Sequence, residues 1–493
     1  MRMHPLSALC TSSDRRGRNG SLALDCAVIQ SSGESCFALL SGWQPGQAPT
    51  ACRREPYRWC LLLPDRRSVD FSAEARMKDE SQSGIKGHLE LSSGILLVVS
   101  VILGSGILVL PGMVFERIGS DGIYAWLACS LLTTPILATM VMLGRAYPSA
   151  GGVAYYAKLA FGQYFELLVA LLFLGAAMLG LPSIAIVGAA YLQKLIGTSV
   201  DIHLLAVLFI LLCGFLALSG GKSLSRVVRL VGGSSLFLLI GVLFVLIVLA
   251  VRANGAGFSR PASFSSIVGQ IPLIFFSFTG WEIVSHLAAD FRTPGKTLGR
   301  AMVCSFFVVF CVYIGSAALV HVADIKSNFN TPILQAAVQI APAAPGWLVA
   351  LLGVLLIAAN LFGSVVAVSR LILYLSGRRV LSAGLSYVRN GAPRNSVYFV
   401  AVSLTLIVAC DWIELLDIEI MFRLAAMNFL AIYVISAIAL VRLRQRLFSR
   451  LLAAAVVCPS ALIMLSSAYS LSYVALIALM TYFLTRNNRT RST

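Results

Sequence analysis

Glu282, His286 and Asp290 recur at intervals of four residues. On a helix that spacing lines up an acid, an imidazole and a second acid along one face. The stretch from about Ile271 to Asp290 is otherwise apolar, and it is long enough for a membrane span. Ionisable groups inside a bilayer are costly and mark ion pathways or proton relays. An imidazole also changes charge near neutral pH. Glu282 adjoins the glycine interruption Phe276-Ser277-Phe278-Thr279-Gly280-Trp281. It is expected to organise a site there, the alternative being a cap on freed backbone N–H groups that ties this span to the first. His286 is a coupling candidate and equally a satisfied core histidine. Asp290, near the end of the stretch, reads better as a loop partner. A metalloenzyme would need more ligands. The chain has no H-E-x-x-H and no C-x-x-C, so no metal, cofactor or enzymatic activity is expected.

The main chain is the second source of chemistry. Leu91 to Phe115 carries no charge, yet its centre reads Ile102-Leu103-Gly104-Ser105-Gly106-Ile107. Each glycine weakens a helix by about 1 kcal/mol relative to alanine. An unwound turn at membrane depth is tolerated only where protein or a cavity surrounds it. A half-helix resuming near Ile107 would aim its positive end at the break, a cradle suited to a carboxylate. The same small residues would also serve a tight helix crossing, and spacing alone leaves both readings open.

These groups need a membrane bundle to hold them. Of 493 residues 58% are apolar and 12% charged, against about 25% charged in soluble domains. The net charge of +17 would suit a nucleic-acid partner, but the basic residues lie in loops between apolar runs. The expected partner is therefore the lipid bilayer. Residues 1–76 differ: ten arginines, no lysine and five cysteines. This predicts a non-native or disordered extension ahead of a folded part starting at Met77. Cys129, Cys213, Cys304, Cys311, Cys410 and Cys458 are expected to be buried small hydrophobes.

Twelve spans are expected: Leu91–Phe115, Gly122–Leu143, Glu166–Gln193, His203–Ser219, Val227–Val251, Ile271–Asp290, Ala301–Val322, Pro345–Leu375, Ser396–Cys410, Ile418–Val441, and two from the uncharged run Leu451–Thr485, divided near Ser466–Ser472. Gly180 and Pro182 would kink the third span. A short helix, Thr331–Ile340, precedes the eighth. Loops after even-numbered spans, with the tail, hold nineteen Lys and Arg, against five on the other side. That bias puts both termini in the cytoplasm, with Asp411, Glu414, Asp417 and Glu419 on the outer face. Arg370 and Arg423, near span ends, are expected to snorkel to headgroups. His203 and His321 receive no role. Spans 1 and 6, both interrupted, lie five apart. An odd offset inverts the second unit, and paired broken helices in inverted repeats point to a midplane binding site.

Gly104-Ser105-Gly106-Ile107, the loop Gly144-Arg145-Ala146-Tyr147-Pro148-Ser149-Ala150-Gly151-Gly152, and Phe278-Thr279-Gly280-Trp281-Glu282 with His286 and Pro294 together resemble the amino acid–polyamine–organocation (APC) transporter superfamily. The likeness runs from about Met77 to Thr485 and leans toward bacterial exporters of L-methionine and branched-chain amino acids. The resemblance implies an all-α, LeuT-like 5+5 inverted repeat, about 89–251 and 268–442. Two extra helices (451–485) and a basic cytoplasmic tail (486–493) would follow. It implies that a substrate carboxylate docks at Gly104, Ser105, Gly106 and Ile107. The ammonium would dock on carbonyls around Phe276, Ser277, Thr279 and Gly280, with Phe276, Phe278 and Trp281 gating or walling the pocket. The implied function is export of methionine, leucine, isoleucine and valine across the inner membrane by alternating access, with proton antiport through Glu282 or His286 as the coupling. An apolar pocket separates such side chains only ~10–200-fold per methylene, so overlapping specificity is expected. The same fold would also serve a proton-coupled importer or an amino acid/polyamine exchanger. A channel or a membrane metalloenzyme is more remote.

Overall fold

The computed structural model describes residues 90–148, 151–218, 222–254, 263–286, 291–342, 346–378, 380–389, 392–465 and 468–490. Residues 1–76 and Asp290 lie outside the described residues, as does the side chain of His286.

Segments this apolar coil because each backbone N–H and C=O in lipid must find its partner within the segment. Helices α1 (Leu91–Ile102) and α2 (Ser105–Ile118) make up the interrupted first span. The first half continues with α3 (Gly122–Ala146), a short α4 (Gly152–Phe161), α5 (Gln163–Ile196), α6 (Ile202–Leu218) and α7 (Lys222–Asn254). The second half opens with α8 (Phe264–Phe275), a 3-10 turn (Phe276–Phe278) and α9 (Trp281–His286). It continues with α10 (Pro294–Ala323), a short α11 (Pro332–Ile340), α12 (Gly346–Gly377), α13 (Arg394–Trp412) and α14 (Ile418–Arg444). Two more helices follow, α15 (Leu447–Leu465) and α16 (Ala468–Thr490); Ser466 and Ser467, where the last apolar run was expected to divide, lie outside the described residues. Helix α8 starts earlier than the expected Ile271, because the Ser263 hydroxyl caps it, accepting from the Ser266 N–H at 3.3 Å. Prolines open α10 and α11 at the first turn, where a missing N–H costs nothing.

Among the described residues, eight helical stretches are long and apolar enough to cross a membrane, and Ile202–Leu218, Phe264–Phe278 and Leu471–Arg486 are shorter apolar helices. Among the described residues the β pairing is a single bridge between Arg389 and Ala392.

The packing obeys a twofold exchange. Helix α5 packs on α14 as α12 packs on α7; α1 packs on α10 as α8 packs on α3; the short α4 covers α9 and α14 as the short α11 covers α2 and α7. These pairs in one half have their counterparts in the other. That is the inverted repeat read from the spacing of the two breaks. Helices α15 and α16 stand outside the exchange, lying against α3, α5, α8 and α14.

Helices α5 and α14 are buried almost throughout, as expected of helices apolar on every side. The outward faces of α6, α7, α13 and α15 expose Leu208, Phe215, Phe237, Phe244, Leu406 and Leu462, a surface suited to lipid. The cysteine expectation needs correcting there. Cys129 and Cys213 are buried, but Cys304, Cys311 and Cys458 are exposed. A thiol is apolar enough to face hydrocarbon as readily as a core.

Between α5 and α12 a fully buried Tyr191 ring fills the place a side chain at Gly353 would take. A Cβ there would stand 2.6 Å from the ring. Gly353→Ala is expected to lower the apparent melting temperature of the detergent-solubilised protein by several degrees, an overpacking cost of roughly 1–3 kcal/mol. Gly363→Ala, on the same helix with nothing within 4 Å, is expected to be neutral or mildly stabilising.

Candidate functional site

The first span breaks at Leu103–Gly104. Leu103 has φ −75° and ψ 82°, Gly104 φ −109° and ψ −134°. Helix α2 resumes at Ser105, so Ser105 and Gly106 form its first turn and are not unwound. This corrects the expectation of a restart near Ile107. The reason is economy of hydrogen bonds: two non-helical residues suffice to turn the axis. Ile107 is fully buried. The side chain of Ser105 lies outside the described residues.

The second break runs from the 3-10 turn through Thr279, extended at φ −89° and ψ 167°, to Gly280 at φ 112°. A positive φ of that size is a glycine conformation. Thr279 turns its hydroxyl back to the Phe276 carbonyl at 2.7 Å. Both Glu282 carboxylate oxygens lie 3.1 Å from the Gly280 N–H, and the Tyr433 hydroxyl on α14 donates to Oε2. Glu282 therefore caps the start of α9 and ties it to α14, whereas the sequence pointed to the first span.

The two breaks touch. A Cβ on Gly106 would stand 2.5 Å from Ser277 Oγ and 3.1 Å from Ser277 Cα. Tight crossing and interrupted helix, weighed as alternatives in the sequence, are both present. The Tyr313 hydroxyl on α10 joins them, 2.7 Å from the Ser277 carbonyl and 3.1 Å from the Ile102 carbonyl. One phenol thus serves main-chain oxygens freed at both breaks. Trp126, Phe278 and Tyr313 stack around it, with ring centroids 5.0–6.1 Å apart.

Beside this junction lies a cavity of about 90 Å³, room for several waters or a small solute. Gly104, Gly106, Ser277 and Asn360 line it together with Phe173, Ala176, Ala177 and Gly180 of α5. It follows the middle of α5 and the second half of α12. Of the three expected wall aromatics only Phe276 lines it. The Phe276 ring sits over Gly180 and 4.6 Å from the Phe422 ring. Phe278 packs into the tyrosine cluster and Trp281 against Phe306, because the residues flanking a break must bury their rings in neighbouring helices. Gly180 accordingly clears space for Phe276, and α5 continues through Pro182 without a stop.

Ion pairs close each end of the bundle. At one end Glu419 on α14 is held by Arg117 of α2 and by Arg423, 2.6 Å away. Arg423 also donates to the Gly269 carbonyl at 2.9 Å and to Gln270 at 3.3 Å, both on α8. Arg423 does not snorkel: its side chain is 11% exposed, because three acceptors, on Glu419, Gly269 and Gln270, meet it inside. Glu419 is buried with it, not on an open face. At the same end His203 sits between Asp201, 3.1 Å from Nδ1, and Asp411, 2.9 Å from Nε2. Burial pulls the Asp201 carboxyl up, but its bonds to the His203 N–H and ring hold it below its ordinary range. At the opposite end Glu166 gathers Tyr374 at 2.6 Å, Arg378 at 3.1 Å and Lys158 at 3.2 Å.

Residues 89–492 match the family model described as amino acid permease. The chain belongs to the amino acid permease family. This permease is 31% identical to the L-methionine/branched-chain amino acid exporter YjeH of Escherichia coli (strain K12) over 243 residues, 48% of this chain and 57% of the exporter. The match thus spans little more than half of that relative. It is 26% identical to the amino acid permease YecA of Bacillus subtilis (strain 168) over 399 residues, 79% of this chain and 93% of the relative. Its fold is shared with MhsT, solved in complex with L-phenylalanine, at a TM-score of 0.51 and 14% identity over 80% of this chain and 99% of that one. The permease thus has the LeuT-like arrangement and sits in a membrane as a multi-pass transporter.

Sequence reading of the permease missed Tyr313, Tyr433 and Asn360. Asn360 left a signal, being the sole carboxamide in its apolar run. Tyr313→Phe removes the shared donor and leaves two buried carbonyls short of a partner. Amide exchange near Gly104 and Thr279 is expected to quicken about 3–10-fold, as for the loss of one hydrogen bond of roughly 0.5–1.5 kcal/mol, with helix content unchanged.

Proposed function

We propose that this permease carries neutral apolar α-amino acids, methionine, leucine, isoleucine and valine, by alternating access. The observation that supports this is the meeting of the two breaks beside a cavity lined by both polar groups and apolar side chains. A zwitterion needs donors for its carboxylate and acceptors for its ammonium. The first turn of α2 offers N–H groups without helical acceptors, and the break at Phe276–Gly280 offers carbonyls. Because dipoles serve both ends, no buried ion has to be left behind when substrate departs. The side chain then lies among Phe173, Ala176, Ala177 and Gly180, where each buried methylene contributes about 0.8 kcal/mol.

In this reading the Arg117 end faces outward and the Glu166 end faces the cytoplasm, with both chain termini, in agreement with the distribution of basic loops. Phe276 over Gly180 is the thin lid, and Glu419 with its two arginines the thick one. The direction proposed is export, supported by the similarity to an exporter, with a proton returning through Glu282.

Counterflow in proteoliposomes tests the reading. Labelled leucine is expected to exchange against methionine, isoleucine and valine, with less than ~200-fold spread among them, and not against lysine or glutamate. Failure to exchange any of the four overturns it. Glu282→Gln is expected to keep exchange but lose its dependence on pH. Unchanged pH dependence would remove the proton from the mechanism. Glu419→Gln unlocks two arginines at once. A cysteine at Ala177 is then expected to react at least about tenfold faster with an impermeant thiol reagent from the Arg117 side, as the population shifts toward the opposite opening.

A further inference from the structure

We infer that the Asn360 carboxamide is a third recognition group of the site, donating its Nδ2–H to the substrate carboxylate at the first turn of α2. The inference rests on the transport reading above and names a residue outside the two broken spans.

Asn360 lies midway along α12 and lines the cavity. Its side chain makes no hydrogen bond among the described residues. An amide at membrane depth without a partner is strongly disfavoured unless water or a ligand completes it. Its position is specific. A Cβ on Gly104 would stand 2.9 Å from Asn360 Nδ2, 3.1 Å from Cγ and 3.3 Å from Oδ1. The amide therefore lies flat against the unwound residue that opens the N-terminal turn of α2. Across the junction the buried Ser277 hydroxyl also has no partner, and Ser364 follows Asn360 by one turn, also lining the cavity. An Asn side chain carries two donors on one side and an acceptor on the other. Beside a helix N-terminus that attracts anions, the NH₂ side is the one that turns in. A neutral donor suits a carrier here: it adds a hydrogen bond to the carboxylate without a fixed charge that would hold it. The close fit also explains the glycine, since any side chain at position 104 would push the amide out of line.

The test compares leucine with leucinamide, which keeps the ammonium and side chain but lacks the carboxylate. Affinities are read from inhibition of leucine counterflow and from ligand-induced thermal stabilisation. Asn360→Ala is expected to weaken leucine roughly 10- to 100-fold, as for loss of a bond to a charged group, and leucinamide less than about threefold. Asn360→Asp, nearly the same shape with an anion, is expected to invert the preference, favouring leucinamide. Asn360→Gln is expected to recover part of the leucine affinity. Equal losses for both ligands, or no change for either, overturn the inference while leaving the transport reading intact. A wild-type protein that binds and moves none of these amino acids overturns both. Should Asn360→Ala fail to fold, the ratio in Asn360→Asp decides alone.

Discussion

A carbonyl with no donor, surrounded by hydrocarbon, is the constraint on which this architecture turns. Interrupting a membrane helix exposes several such groups, and water is not there to meet them. The permease answers with side chains from elsewhere in the chain. Tyr313 serves oxygens of both interrupted spans, and Glu282 with Tyr433 serves the N–H that Gly280 releases. The Ser277 hydroxyl, left without a partner, and the Asn360 side chain, which makes no hydrogen bond among the described residues, border the cavity.

The close contact of Gly106 with Ser277 makes this arrangement stiff. Two interrupted spans that merely passed near one another could each refold into a continuous helix. Pressed together, with no room for a Cβ, they hold each other open. Steric exclusion and hydrogen bonding thus work on the same few residues.

Hydropathy made the long helices legible, since insertion into lipid depends on local composition. The short α11 and both interruptions left marks in the order of residues. Partnerships were not legible. Arg423 looks like any arginine near a span end, and only the fold brings it to Glu419, Gly269 and Gln270. Gly180 looks like a hinge, and only the approach of Phe276 shows what it makes room for. Phe278 and Trp281, placed at the pocket by adjacency, turn away because backbone direction at a break cannot be read from neighbours in sequence. Asn360 was missed, since a lone carboxamide in an apolar run has no evident reason until Gly104 lies against it.

The twofold exchange between halves has a consequence for balance. A bundle made of two oppositely oriented units with matching contacts favours neither orientation by its helix arrangement alone. Helices α15 and α16 lean on α3, α5, α8 and α14 and have no image. Whatever their grip contributes in one orientation differs in the other. These two late helices are the part of the bundle that the exchange leaves unbalanced.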